Sequence, residues 1–190
     1  MITEAIPIKQ EENHVNINFI KKKLVMLNET IKKERDGYTK ILFGTSYSQQ
    51  KSKLNSSYHV HEATEYIEHE DEELEEASNI VRAHVLFQRL RFYSQMIYED
   101  WNNTPTVKEN EIVLKFWGEI VSYLYHIETE LDSKNVAKQP PRFQGYYFSR
   151  RDIRDFVVLR HIYHYTKHYL KYLPCLTSVS ANKFHLIQCR

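Results

Sequence analysis

At 190 residues and 42% hydrophobic content, the chain is long enough for one domain with a real core. Four glycines and five prolines are too few turn-formers for a sandwich or barrel, so long helices are expected. A formal net charge of +1 gives no global field for nucleic acid or membrane, and no run of about 18 apolar residues exists to cross a bilayer.

In chain order, the first periodic segment is "INFIKKKLVMLNETIKKERDGYTKILF". Ile17, Ile20, Leu24, Leu27, Ile31, Tyr38 and Ile41 fall at three-four spacing and form one stripe, which predicts helix A over about residues 15–43. The pattern fades at Gly44. The stretch that follows is polar, serine-rich and then acidic, and it reads as a connection of roughly 25 residues. Helix B is expected over about 72–100. Its opening glutamates complement the positive end of a helix, and Leu74, Ala77, Val81, Val85, Phe87, Leu90 and Ile97 supply an apolar face. Pro105 in "WNNTPTVKEN" blocks continuation. Helix C, about 109–131, carries Val113, Phe116, Ile120, Leu124, Ile127 and Leu131 on one side. Pro140 and Pro141 forbid helix in the next connection. Helix D spans about 149–173, with Phe156, Leu159, Tyr163, Leu170 and Leu173 inward and Pro174 as its stop, before a tail at 174–190.

Connections that run long, short, long restrict direction. A short link makes helices B and C antiparallel neighbours. A helix of about 23 residues is about 34 Å long, and 15 extended residues reach about 50 Å, so each long connection can travel the length of a bundle. The expected fold is all-α, a single long-chain four-helix bundle, up-up-down-down, with two overhand loops.

Several patterns could carry chemistry. His161, His164 and His168 have helical spacing, yet no HExxH-type carboxylate accompanies them, and histidines on a tyrosine-rich face read as rim residues. The acidic stretch from Glu62 to Glu76, with nine carboxylates, reads as a solvated loop and helix start. Between Lys134 and Lys171 stand nine Lys or Arg against two Asp; this fits an acidic partner or a polyanion, although no stacking platform or groove motif marks nucleic acid. The two cysteines, Cys175 and Cys189, leave the redox compartment open, and the sequons at Asn28, Asn55 and Asn102 are short enough to arise by chance. No phosphate loop, catalytic triad or paired metal ligands appear, so neither an enzyme nor a cofactor or metal is expected.

The stretch "YYFSRRDIRDF", residues 146–156, sets three aromatics against alternating charges at the entrance of helix D. On helix geometry alone, the aromatics are a hydrophobic staple and Ser149 an N-cap. A second reading comes from resemblance. The helix B and C segments, the local "YHIETEL" at 125–131 and the last helix "HIYHYTKHYLKYL" resemble the ciliary neurotrophic factor and leukaemia inhibitory factor branch of the interleukin-6-type cytokines. That branch carries a Phe-x-x-Lys motif at the start of helix D, and here Phe148 and Arg151 form a Phe-x-x-Arg; an ungapped helix D alignment places Tyr147 and Arg150 there instead. The resemblance implies a cytokine that assembles cell-surface receptor chains. A shared signal transducer would meet the exposed faces of helices A and C, where Lys22, Lys33, Arg35 and Glu119 are candidate contacts. A receptor of the leukaemia inhibitory factor type would meet the helix D entrance. The expected location is extracellular, secreted or leaderless, although "MITEAIPIKQ" lacks a basic region followed by an apolar core. The alternative is a cytoplasmic or nuclear helical scaffold subunit resembling those of the GINS complex, in which strands rather than a helix would follow residue 141.

Overall fold

The computed structural model describes residues 15–55, 78–104, 108–131 and 151–177, and these residues are all helix, turn or cap. Among these described residues the α-helices are α1 (Ile17–Phe43), α2 (Tyr47–Asn55), α3 (Asn79–Asn102), α4 (Lys108–Leu131) and α5 (Arg151–Tyr172), and a 3-10 turn covers Leu173–Thr177. The expected helices A, B, C and D are α1, α3, α4 and α5.

Each helix end has a local cause. Asn16 caps α1, its Oδ1 accepting from the Phe19 N–H at 3.1 Å. Gly44 closes the same helix in the left-handed region, φ 67°, and donates its N–H to the Lys40 carbonyl at 2.8 Å.

Two boundaries correct the sequence reading. Within the connection expected to lack helix, α2 starts on a capping box: the Ser46 Oγ accepts from Gln49 N–H, and the Gln49 Oε1 accepts from Ser46 N–H. Asp36 then accepts the Tyr47 N–H at 3.0 Å and moors α2 to α1. Helix B was expected from about residue 72, but Ser78 is extended, with φ −63° and ψ 157°, and its hydroxyl accepts from Val81 N–H, so α3 starts at Asn79. Leu74 and Ala77 lie outside the described residues. At the far end, Pro174 does not simply stop the chain. It sits inside the 3-10 turn, whose Leu173 and Leu176 are buried.

The core joins the four long helices. Ile20, Leu24, Leu27 and Ile31 of α1, Phe87, Leu90 and Ile97 of α3, and Ile153, Phe156 and Leu159 of α5 are all buried in it. All six apolar residues expected inside helix C are buried, with Trp117 beside them. Along α5 the expected stripe is only partly enclosed, because Tyr163 and Leu170 pack at the margin. The first turns of α5 are instead buried on every side from Ile153 to Leu159.

Contacts follow a ring in which α1 packs on α4 and α5, and α3 packs on the same two helices. At one end, the Asn16 N–H donates to Glu130 Oε1 at 2.8 Å, Phe19 meets His126, Arg91 pairs with Glu128, and Phe87 packs on Tyr169. At the other end, Tyr38 lies against Phe116 and Trp117, Phe43 against Phe156, and Tyr98 beside Gly118.

Candidate functional site

The "RRDIRDF" charges converge on a polar cluster that Tyr38 of α1, Asp100 and Trp101 of α3 and Trp117 of α4 complete. Asp155, fully enclosed, accepts at Oδ2 from the Trp101 indole N–H at 2.7 Å and from the Tyr38 hydroxyl at 3.3 Å. Its Oδ1 accepts from Arg154 Nε at 2.7 Å. The Tyr38 oxygen in turn accepts from the Trp117 indole N–H at 3.0 Å. Arg154, 1% exposed, reaches across to Asp100 Oδ2 at 2.9 Å. Arg151 holds the other oxygen of Asp100 at 3.0 Å and also donates to the Thr104 hydroxyl. Two guanidinium groups and two carboxylates therefore balance, each charge with a partner at hydrogen-bond distance.

Burial sets the electrostatics of this cluster. Removal from water pushes the Asp155 carboxyl up to about 6, against the opposing pull of Arg154 and of the bonds from Trp101, Arg154 and Tyr38. Burial also drives the Tyr38 phenol well above its ordinary value, reinforced by the neighbouring Asp155 charge. Burial alone would lower the Arg154 guanidinium, but attraction to Asp155 and the bonds to Asp155 and Asp100 raise it. A perturbed carboxyl can mark a catalytic group. Here it lines neither of the two surface grooves described below, and both of its oxygens accept from protein donors. The cluster is a clamp between helix ends.

Among the described residues, two grooves open elsewhere on the surface. One, of roughly 450 Å³, lies between α3 and α4 and is lined by Tyr98, Leu114, Lys115, Gly118, Glu119, Ser122 and Tyr123. The other, of roughly 680 Å³, runs along the outer face of the C-terminal half of α5 beside α2. Lys51, Arg160, Lys167 and Lys171 supply its charge, with Tyr47, Tyr163 and Tyr172 and three histidines between them. Beneath it, Arg35 stacks between two of those rings, 4.7 Å from the Tyr47 centroid and 5.0 Å from that of Tyr163. Burial lowers His161 to about 4, helped by Arg160 and His164, and lowers His168, helped by His164 and Lys171.

No protein-family model, no curated protein and no solved structure matches this chain.

The residues expected to bind receptors fall in separate places. Tyr147, Phe148 and Arg150 lie outside the described residues, as do Ser149 and Cys189. Arg151 is described and already engaged by Asp100 and Thr104, with a third of its side chain exposed. Lys22 and Lys33 are exposed on α1; eleven residues at about 100° each bring them to nearly one face, and Lys33 lies 3.3 Å from Glu34. Arg35, two residues on, points to the far side and into the α2–α5 stack. Glu119 lines the α3–α4 groove. Of the sequons, Asn28 has its Oδ1 enclosed, while Asn102 is exposed at the end of α3. Among the described residues no group of three His, Cys, Asp or Glu is placed to hold a metal ion.

Sequence reasoning missed the clamp, and it read the cations and histidines of the second groove as a basic stretch and rim residues without the groove that joins them to α2. The signal for the first was an Arg-Asp pair repeated within "RRDIRDF". For the second it was cations at 160, 167 and 171 with aromatics at 163 and 172, a helical stripe that is polar rather than apolar.

Proposed function

We propose that this chain is a helical cytokine, a receptor-assembling ligand folded as an up-up-down-down bundle. The observation that carries the proposal is the ring of contacts. The start of α1 meets the end of α4, and the end of α1 meets the starts of α4 and α5. The start of α3 meets the end of α5, and the end of α3 meets the starts of α4 and α5. Those pairings support α1 and α3 running one way and α4 and α5 the other, with α1 diagonal to α3. Long connections before α3 and before α5 fit that order, and an up-and-down bundle has no use for them. The helix over Arg151–Tyr172 further favours the cytokine over the scaffold reading, which calls for strands in that region.

The receptor grip proposed at the α5 entrance is Phe148 with Arg151 or, one residue earlier, Tyr147 with Arg150. Because Arg151 also holds Asp100, its removal would weaken the clamp as well as any contact with a receptor. The decisive variant therefore spares Arg151 and removes the aromatic of each register, Tyr147→Ala with Phe148→Ala, measured beside the parent for binding to the immobilised ectodomain of the leukaemia inhibitory factor receptor. Parent binding that the variant loses, with unchanged helical circular dichroism, supports the proposal. A parent chain that does not bind removes it.

A further inference from the structure

The outer face of α4 carries apolar surface that the fold does not use. Ile112 and Tyr125 are each more than half exposed, the large hydrophobic side chains so placed among the described residues. At about 100° per residue, Glu111, Lys115, Gly118, Ser122 and Tyr125 fall within an arc of roughly 80°, with Ile112 and Glu119 along one flank. Gly118 stands midway between Ile112 and Tyr125 and lines the α3–α4 groove. Nothing inside the molecule calls for glycine there. Its φ lies outside the left-handed region, and a Cβ would meet the Tyr98 ring at 3.5 Å, an ordinary contact. A glycine within a helix costs backbone entropy, and what its missing side chain serves is a close approach from outside.

The charges decide what approaches. Lys115 and Glu119 both line the groove, one on each side of Gly118. A second α4 laid parallel on this face would set lysine against lysine and glutamate against glutamate. Laid antiparallel, with a two-fold axis between positions 118 and 119, it sets opposite charges together. Lys115 then lies about 4.5 Å along the helix axis from Glu119 of the second copy, and the symmetry makes that pair twice. Ile112 comes level with Tyr125 of the second copy at each end, and Glu111 with His126. A foreign helix would need no such arrangement. Apolar residues equally spaced about a glycine, with opposite charges on either side of it, are what a surface needs to match itself. We propose that the α4 face binds a second copy of this chain, as an antiparallel two-fold dimer centred on Gly118 and held by two Lys115–Glu119 pairs. The dimer covers Glu119 and excludes a receptor contact at that residue, and it makes no use of the α5 entrance.

The test is sedimentation equilibrium of the full chain from about 1 to 500 μM, because one helix face is a small interface and a Kd of about 10–100 μM is expected. Lys115→Glu and Glu119→Lys each put like charges at both crossings, so each variant alone should dimerise about tenfold more weakly or worse. Mixed together, the two variants should associate about as well as the parent, because each supplies the charge the other lacks. An effect confined within one helix would not give that recovery. Circular dichroism checks that both variants keep their helix content. A parent that stays monomeric throughout, single variants that dimerise as the parent does, or a mixture as weak as its components would each overturn the proposal. No receptor enters the measurement, so its failure leaves the α5-entrance proposal untouched.

Discussion

Trp101 donates its indole N–H to Asp155 at 2.7 Å across 54 residues of sequence, tying the last turn of α3 to the first turns of α5. The bond gives the buried carboxylate one of its three donors, and Arg154 gives it a cation. A buried pair of this kind adds little net stability over an apolar replacement, but breaking one side of it is expensive.

Arg154→Met is therefore expected to destabilise the protein by about 3–5 kcal/mol, because it leaves Asp155 enclosed without a cation and Asp100 with only Arg151. Adding Asp155→Asn to that variant removes the stranded charge and should recover part of the loss. Urea unfolding of the parent, the two single variants and the double variant checks the coupling. A loss below about 1 kcal/mol for Arg154→Met would show that the clamp is not energetically important.

The pH dependence of stability combines two opposing groups on α5. Asp155 has its carboxyl raised from 3.8 to about 6, so its contribution is full below pH 3.8 and is lost as pH rises through about 6. His161 is lowered from 6.5 to about 4, so its contribution is full above pH 6.5 and is lost as pH falls through about 4. Between roughly pH 4 and 6 the two slopes partly cancel. Asp155→Asn removes the falling slope, so its stability should climb more steeply with pH than the parent's. His161→Gln should do the reverse. Denaturant midpoints across this window read both signs, and identical profiles for all three proteins would contradict them.

Gly37 and Gly44 stand seven residues apart, and a methyl group at either would meet nothing within 4 Å. Backbone angle alone separates them. Gly37 lies inside α1, where alanine loses less backbone entropy, so Gly37→Ala should stabilise by about 0.5–1 kcal/mol. Gly44 has φ 67°, a region an L-residue enters at a cost, so Gly44→Ala should destabilise by about 1 kcal/mol. Thermal unfolding midpoints moving in opposite directions would confirm the contrast.

Ser46→Ala removes one half of the capping box of α2 and should cost about 1 kcal/mol. Because α2 rests on α1 through Asp36 and the ring of Tyr47, the effect should be local. Faster amide exchange is expected over residues 47–53, with α4 unchanged.

The long helices were legible in the sequence because a continuous apolar stripe survives any uncertainty about what it packs against. In α4 all six expected positions are inside. The short α2 has no such stripe, and its signal lay in the Ser-x-x-Gln spacing of Ser46 and Gln49 rather than in hydropathy. The early start assigned to helix B came from weighing the glutamates at 72–76 as partners of a helix end and passing over Ser78, whose hydroxyl sets the boundary. The clamp was least legible. Arginine and aspartate are exposed by default, and nothing local separates Asp152, half-exposed, from Asp155, enclosed three residues later. The difference comes from Trp101 and Tyr38, which approach Asp155 from 54 and 117 residues away.

That last separation bears on how the chain reaches its structure. Among the described residues, and apart from the small α2, the helices that cover the apolar stripe of α1 are α4 and α5, both from the second half of the sequence. A chain emerging from its N-terminus must carry Ile20, Leu24, Leu27 and Ile31 without their α4 and α5 partners until residues 108 and beyond have been added, while α3 and α4 can zip together as a hairpin as soon as both exist. Assembly should therefore be limited by a late, long-range closure, and the Tyr38–Asp155 bond is the marker of its completion.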